Sequence, residues 1–503
     1  MRVIPLFFFL QTVHIAPGFC PTRSRTSRRF RFYRTPSTRS IVDGAAFAKA
    51  ASLETRGFVK EAMDAFEALA QDAWTISSSA EGAYVQLRLA HLANDGIGDL
   101  SRAEVHLREA LRLDAQGTSA AVLDQLGMVL QTAGDLDSAI ECFKKAIAVI
   151  DRRHGVNHPR STAPRFHLAV AEDIHAMRSI SGKGAVELNA TSTFRHWPAA
   201  GMLADGAGDA IPRESGGEGE KKRVLRVCSG GGDFSGLPTA LVSSWDFAKA
   251  HFPRARLARG DLYNGTRAIL AAALLHHSPL RCLRPLSSTG SSSETHEYWM
   301  VLEFGVSFGK SIRMLADLME VAAGDAEAGT AHSSPASTLV AGFDTFTGLP
   351  EAWGDEPEGA YSTGGLLPSV PPPVRLVPGL FADTLPKFLA AQNSSIANSV
   401  AANAAPDLRR KLALANVDCD LYSATAEVLG ILASPPAAPD SQPSSSAVCA
   451  GSVVCFDEFF MYEGWQGDEA RAFFEEAKLQ GWGFEFSAWS LASKQVAVKI
   501  IKN

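Results

Sequence analysis

Met300-Val301-Leu302-Glu303-Phe304-Gly305-Val306-Ser307-Phe308-Gly309-Lys310-Ser311 decides how the second half of the chain is read. An apolar run closes on an acid and opens into two glycines, and from Lys310 apolar residues return at helical spacing. That order predicts strand, phosphate-loop-like turn and helix. In a doubly wound α/β domain such a turn lies at the carboxyl edge of the sheet, where nucleotide-like ligands bind. A lone glycine pair also serves simple turns and close packing of helix on strand, so its meaning depends on its surroundings.

Outward from this stretch the pattern alternates. Helical patterns near 241–251 and 263–277 precede it. Helix 310–322, strand 338–343, helix 384–391, strand 411–417, helix 422–432, strand 452–456 and helix 469–480 follow, with a closing pair near 483–487 and 495–500. Alternating strands and helices require a mainly parallel sheet covered on both faces. Strand 338–343 ends in Asp344, placed to accept both ribose hydroxyls of a nucleoside, or else to act as a turn residue or helix cap. Asp418 and Asp420 follow one later strand, and Asp457 and Glu458 follow the next. Four carboxylates at adjacent strand ends repel one another without a cation, and oxygen ligands favour magnesium, calcium or manganese over zinc.

Glu303–Ser311, Gly342-Phe343-Asp344-Thr345-Phe346-Thr347-Gly348-Leu349-Pro350-Glu351-Ala352-Trp353, Thr384-Leu385-Pro386, Asp418-Cys419-Asp420-Leu421-Tyr422-Ser423-Ala424-Thr425 and Phe456-Asp457-Glu458-Phe459 occur in this order. The set resembles the macrocin O-methyltransferase family from about Arg223 onward. The resemblance implies a Rossmann-like class I methyltransferase that uses S-adenosyl-L-methionine to methylate a sugar hydroxyl. Glu303, Gly305, Ser307, Gly309 and Asp344 would form the cofactor site. Asp418, Asp457 and Glu458 match the family's magnesium ligands, and Asp420 matches the proposed general base, although it could instead cap the helix from Tyr422. Two positions depart from the family: Asn416 stands where His precedes the metal aspartate, and Asp468 where His follows the Gly464-Trp465 pair.

Upstream, residues 43–155 are helical in pattern. Gly57, Gly98 and Gly134 are each followed five residues later by alanine (Ala62, Ala103, Ala139) and four later by Phe66, Leu107 or Phe143. With Leu126-Gly127, Leu130 and Ala146, these fall where tetratricopeptide repeats place their small and large packing residues. Such an array offers a protein partner a concave surface and supplies no chemistry. Residues 156–222, including the polar run 215–222, read as a linker, with 164–177 as an optional continuation of the helices. Further low-complexity stretches at 287–294, 323–337 and 434–447 read as surface insertions.

The 503 residues exceed one ordinary core, which agrees with this two-domain division. Residues 1–42 hold eight arginines and no acid, in a chain of net charge −6. Their apolar core, Ile4 to Leu10, is too short to span a bilayer and resembles a signal h-region. The Arg/Ser/Thr-rich continuation resembles the bipartite leader of proteins sent to complex plastids; plain secretion is the alternative. An acidic remainder argues against nucleic acid as a partner, and no stretch suits a stable membrane span. The seven cysteines are scattered without a C-x-x-C pair, so they read as reduced packing residues. The expected function is magnesium-dependent O-methyl transfer to a sugar-like small molecule. Its rival is an inactive, repeat-bearing scaffold. The glycine spacing departs from the dinucleotide fingerprint of nicotinamide enzymes.

Overall fold

The computed structural model describes residues 44–74, 80–114, 119–181, 232–252, 262–263, 265–282, 298–327, 338–399, 410–434, 446–491 and 493–503. The leader 1–42, the run 215–222 and the stretch 287–294 lie outside these, as do most of 323–337 and 434–447.

The first part is a stack of helical hairpins: α1 (Gly44–Thr55) with α2 (Val59–Trp74), α3 (Ala80–His91) with α4 (Leu100–Leu113), and α5 (Ser119–Ala133) with α6 (Leu136–His154). A π-helical stretch, Leu92–Ile97, extends α3. Gly57, Gly98 and Gly134 occupy the same turn in each hairpin, at φ of 76°, 74° and 94°, the left-handed region that glycine enters without a Cβ clash. Asp99 and Asp135 follow and cap α4 and α6 by accepting the amides of Arg102 (2.9 Å) and Ser138 (3.1 Å). Ala62, Phe66, Ala103, Leu107, Ala139 and Phe143 are all buried. A Cβ on Gly127 would strike the Phe143 ring, so that glycine sets how closely α5 and α6 approach.

The array continues into what the sequence assigned to a linker. A turn at Pro159–Ser161 leads to α7 (Thr162–Ser181), whose Phe166, Val170 and Ile174 are buried in the core of the array. Burial of each contributes about 1.5–3 kcal/mol, enough to fix the helix against α6. The optional continuation at 164–177 is thus realised and longer at both ends; its alanines and polar residues dilute the apolar pattern.

The second part is an eight-stranded sheet among the described residues, in the order β1 (Leu262–Tyr263), β7 (Gly483–Ser490), β8 (Val496–Lys502), β6 (Val453–Phe456), β5 (Arg410–Val417), β2 (Tyr298–Phe304), β3 (Thr338–Asp344), β4 (Arg375–Pro378). All neighbours pair in parallel except β8, which is antiparallel to both β6 and β7. Alternate residues of β2 feed two separate cores. Met300, Leu302 and Phe304 face the side covered by α11 (Phe381–Ser399), α12 (Tyr422–Ala433) and α13 (Glu469–Gln480). Trp299 and Val301 face α10 (Lys310–Glu327), α9 (Thr266–Ala271) and the π-helical Ala272–His277. Near-continuous burial along β2 follows from that double cover.

Two details correct the sequence reading. Tyr263, expected to open a helix, lies in β1, and the helix starts at Thr266. The edge strand β4 was not foreseen, because its four residues are half exposed and carry little apolar signal.

The two parts share one core. Helix α8 (Thr239–His251) inserts Trp245 between them, and its Nε1 donates to Asp173 Oδ2 of α7 at 2.7 Å. Its ring packs 5.9 Å from Trp489 of β7. Lys249 lies 3.5 Å from the same Asp173 carboxylate. No helix among the described residues is long and apolar enough to cross a membrane.

Candidate active site

The ends of β2, β3, β5 and β6 are laced together beyond the strands themselves. Gly305 N donates to Phe343 O (2.9 Å), Asp418 N to Phe304 O (2.8 Å) and Asp457 N to Val417 O (3.0 Å). This brings the glycine turn and both carboxylate pairs to one edge. Gly305 has φ 88°, and a Cβ there would collide with the Asp418 carbonyl, so the glycine is required by the approach of the next strand end. Gly309 closes the turn at φ 82°, with its amide on Val306 O at 2.8 Å.

A cavity of about 490 Å³ opens at this edge. Gly305, Ser307 and Asp344 line one part of it; Asp418, Asp420, Asp457 and Glu458 line another. Segment 345–361 covers it, contributing Leu349, Trp353 and Tyr361. Seven of the nine residues singled out from the sequence therefore meet in one cavity.

Glu303 and Gly309 do not line it. Glu303 is fully buried behind the turn, where Oε1 accepts from Ser311 Oγ at 2.9 Å and Oε2 has no partner. Burial pushes its carboxyl up to about 8. It sits opposite Asn416 in the parallel register, and that side chain is a buried neighbour of this acid.

Asp344 is already engaged. Its Oδ2 accepts Val306 N (2.8 Å) and Ser307 N (2.7 Å), and Oδ1 accepts Phe346 N (2.6 Å). A carboxylate offers about four acceptor sites, so roughly one remains for a ligand. Asp344 thus braces the glycine turn, the turn-residue alternative of the sequence, and what it retains for a ligand is about one acceptor site.

Asp420 does not cap the next helix. The residue before α12 is Leu421, and no side chain caps it. Asp420 instead adopts φ 62°, a left-handed conformation that costs about 1–3 kcal/mol in a residue other than glycine and turns its side chain to the cavity. Burial, then the charges of Glu458 and Asp457, push its carboxyl up to about 8. Burial and neighbouring acids likewise raise Asp418 well above the ordinary carboxylate range and Asp457 to about 6.

Three contributors had no signal in the sequence. Lys494 Nζ pairs with Glu458 Oε1 at 2.8 Å, and Gln495 donates to Asp457 from the same β7–β8 turn. Fully buried Glu469 accepts the amides of Cys419 (3.4 Å) and Glu458 (3.2 Å) and ties both carboxylate segments to α13. Asp468 accepts Tyr462 Oη (3.0 Å) and Trp353 Nε1 (3.5 Å), which fastens the covering segment. Trp465 is core, packed at 5.3 Å on Phe247.

Among the described residues no three His, Cys, Asp or Glu side chains stand as a formed metal site. What the cluster offers a cation is buried oxygen: Glu458 Oε2 has no partner, and Asp418 and Asp457 repel each other. Magnesium commonly takes one or two carboxylates and completes its shell with water, so these donors fit it in kind.

The tetratricopeptide repeat family matches residues 119–160, the third hairpin and its exit. The helical array is thus tetratricopeptide-like. Among solved structures, a putative kinesin light chain from Podosopora anserina with nearly identical TPR-like repeats is 18% identical, covering 29% of this chain and 78% of that one at a TM-score of 0.23. BtubC (BKLC) from P. vanneervenii is 17% identical, covering 27% of this chain and 56% of that one at a TM-score of 0.25. No curated protein matches the chain.

Proposed function

We propose that the sheet domain transfers a methyl group from S-adenosyl-L-methionine to a hydroxyl of a sugar-like small molecule, as the resemblance to macrocin O-methyltransferases implies. The observation that carries this reading is the division of one cavity into a glycine-turn part, Gly305, Ser307 and Asp344, and a carboxylate part, Asp418, Asp420, Asp457 and Glu458. The closing β7–β8 hairpin, with β8 antiparallel to both its neighbours, also suits the antiparallel final strand of class I methyltransferases.

Asp420 removes the proton of the acceptor hydroxyl. The oxygen forms a bond to the methyl carbon, the carbon–sulfur bond breaks, and its electron pair stays on sulfur to give S-adenosylhomocysteine. A base with a pKa near the working pH suits that step, and burial beside other acids brings Asp420 there. Asp418, Asp457 and Glu458 would hold magnesium, which when bound supplies positive charge that makes a coordinated hydroxyl more acidic. Trp353 and Tyr361 shield the cavity and orient the acceptor, and orientation provides much of the acceleration in a methyl transfer. The repeats serve a protein partner, the usual use of such arrays.

Calorimetry of the full chain with S-adenosyl-L-methionine, with and without magnesium, tests the reading. Binding is expected, and absence of binding under both conditions would leave the scaffold function in its place.

A further inference from the structure

The repeat array touches the glycine turn itself. Asp95, in the π-helical stretch that extends α3, is buried, and its Oδ2 receives Lys310 Nζ at 2.5 Å while Oδ1 accepts Thr266 N at 2.6 Å. Lys310 directly follows Gly309, so this ion pair anchors the residue at which the turn becomes α10. The first hairpin turn abuts the same residue: a Cβ on Gly57 would lie 2.6 Å from Lys310 Cα.

One turn further along α10, Arg313 joins three segments. It is 8% exposed, and Nη1 donates to Arg56 O (2.5 Å) of the first repeat and to Phe308 O (3.2 Å) and Gly309 O (3.1 Å) of the glycine turn. Nη2 donates to Ser369 O, in the loop that runs from the cavity cover to β4. Its guanidinium lies 4.3 Å from the centre of the Phe58 ring in the first repeat. Burying the Arg313 guanidinium and the Asp95 carboxylate is costly, and apolar side chains of similar size would serve packing at least as well. What the charged groups add is geometry, because a planar fork on several carbonyls fixes the relative position of the segments that carry them.

We propose that the first repeat hairpin and the Leu92–Ile97 stretch clamp the methyl-donor turn from behind, with Asp95, Lys310 and Arg313 as positioning residues, so that the array holds the donor site in shape as well as serving as a docking module. The proposal rests on the methyl-transfer reading for the identity of the ligand only. The turn presents Ser307 and the one remaining acceptor site of Asp344, and both depend on where Gly309 and Lys310 are held. By linkage, a partner that displaces the first hairpin lowers donor affinity, and donor binding weakens that partner to the same degree.

The test uses full-length protein carrying Asp95→Asn, Lys310→Met or Arg313→Met. S-adenosylhomocysteine affinity is measured by calorimetry, and amide hydrogen exchange is followed across the chain. We expect at least a tenfold loss of affinity in Asp95→Asn and Arg313→Met. Exchange of residues 305–310 should be at least tenfold faster, with the β7–β8 hairpin unchanged. The double variant Asp95→Asn/Lys310→Met should be no worse than the worse single. Unchanged affinity and unchanged local exchange in both Asp95→Asn and Arg313→Met would overturn the clamp. If the unmodified protein binds no S-adenosylhomocysteine, the methyl-transfer reading fails, and exchange at 305–310 alone decides for or against the clamp. Should Arg313→Met unfold, Arg313→Lys keeps the charge without the fork: faster local exchange supports the clamp, and wild-type exchange overturns it.

Discussion

Asp420→Asn should abolish most activity and at the same time stabilise the protein, by an amount that grows with pH. The side chains have nearly the same shape, so packing is kept while the proton acceptor is lost; general-base assistance is worth about 10²–10⁴-fold in rate, and activity should fall by that order. The stability gain follows from the carboxyl's displacement from the ordinary 3.8 to about 8. Between those values the folded state holds a proton that the unfolded chain has released, so stability falls as pH rises through the window. Asparagine has no such loss. At pH 7.5 the full displacement would correspond to ~5 kcal/mol, at ~1.4 kcal/mol per pH unit. The side chain keeps some exposure to the cavity, and its repulsion is shared with Glu458 and Asp457, so screening reduces the gain to ~2 kcal/mol. At ~2–4 °C per kcal/mol for a domain of this size, the melting temperature should rise by ~4–8 °C at pH 7.5 and by ~2 °C or less at pH 5. Calorimetric melts of both proteins in a chelating buffer, paired with methyl-transfer assays from labelled donor, measure both effects. A variant that keeps its activity would refute the base assignment. A melting offset that is negative, or equal at both pH values, would refute the electrostatic account.

Two further outcomes follow from the same geometry. Asp418→Ala and Asp457→Ala should each remove magnesium stimulation together with activity, while S-adenosylhomocysteine affinity by calorimetry stays within about threefold; full activity in either would refute the metal assignment. Trp245→Phe deletes the Nε1 bond to buried Asp173 and should cost about 1.5–3 kcal/mol in urea denaturation, whereas an unchanged midpoint would mean that Lys249 alone satisfies that carboxylate.

Local chemistry made part of this legible in the sequence. Glycines at matching turns, small and aromatic residues at fixed offsets from them, and acids ending apolar runs each report a requirement met within a few residues, and Gly57, Gly98, Gly134, Gly305 and Asp418 stand where those requirements put them. The sequence could not report partners chosen across the fold. Asp344 stood open between ribose acceptor and turn residue because nothing nearby shows that the amides of Val306 and Ser307 reach it. Lys494 is 36 residues from Glu458, and Asp95 is 215 from Lys310; these pairs exist only because strands and helices bring them together. Helix α7 was legible only as an option at 164–177 for the opposite reason: its residues signal a helix weakly, and neighbouring surfaces supply the stability.

The position of β8 bears on how the sheet domain is made. It is the last strand in chain order, yet it lies between β6 and β7 and pairs with both. Until it emerges from the ribosome, β6 has an unpaired edge, β7 has no antiparallel neighbour, and the β7–β8 turn that carries Lys494 and Gln495 cannot form. The repeat hairpins, built from local contacts, can fold during synthesis, but the sheet must wait with open strand edges, the state in which chains most readily aggregate. A nascent chain arrested before Val496 should therefore present helical hairpins joined to a sheet whose β6 edge is open.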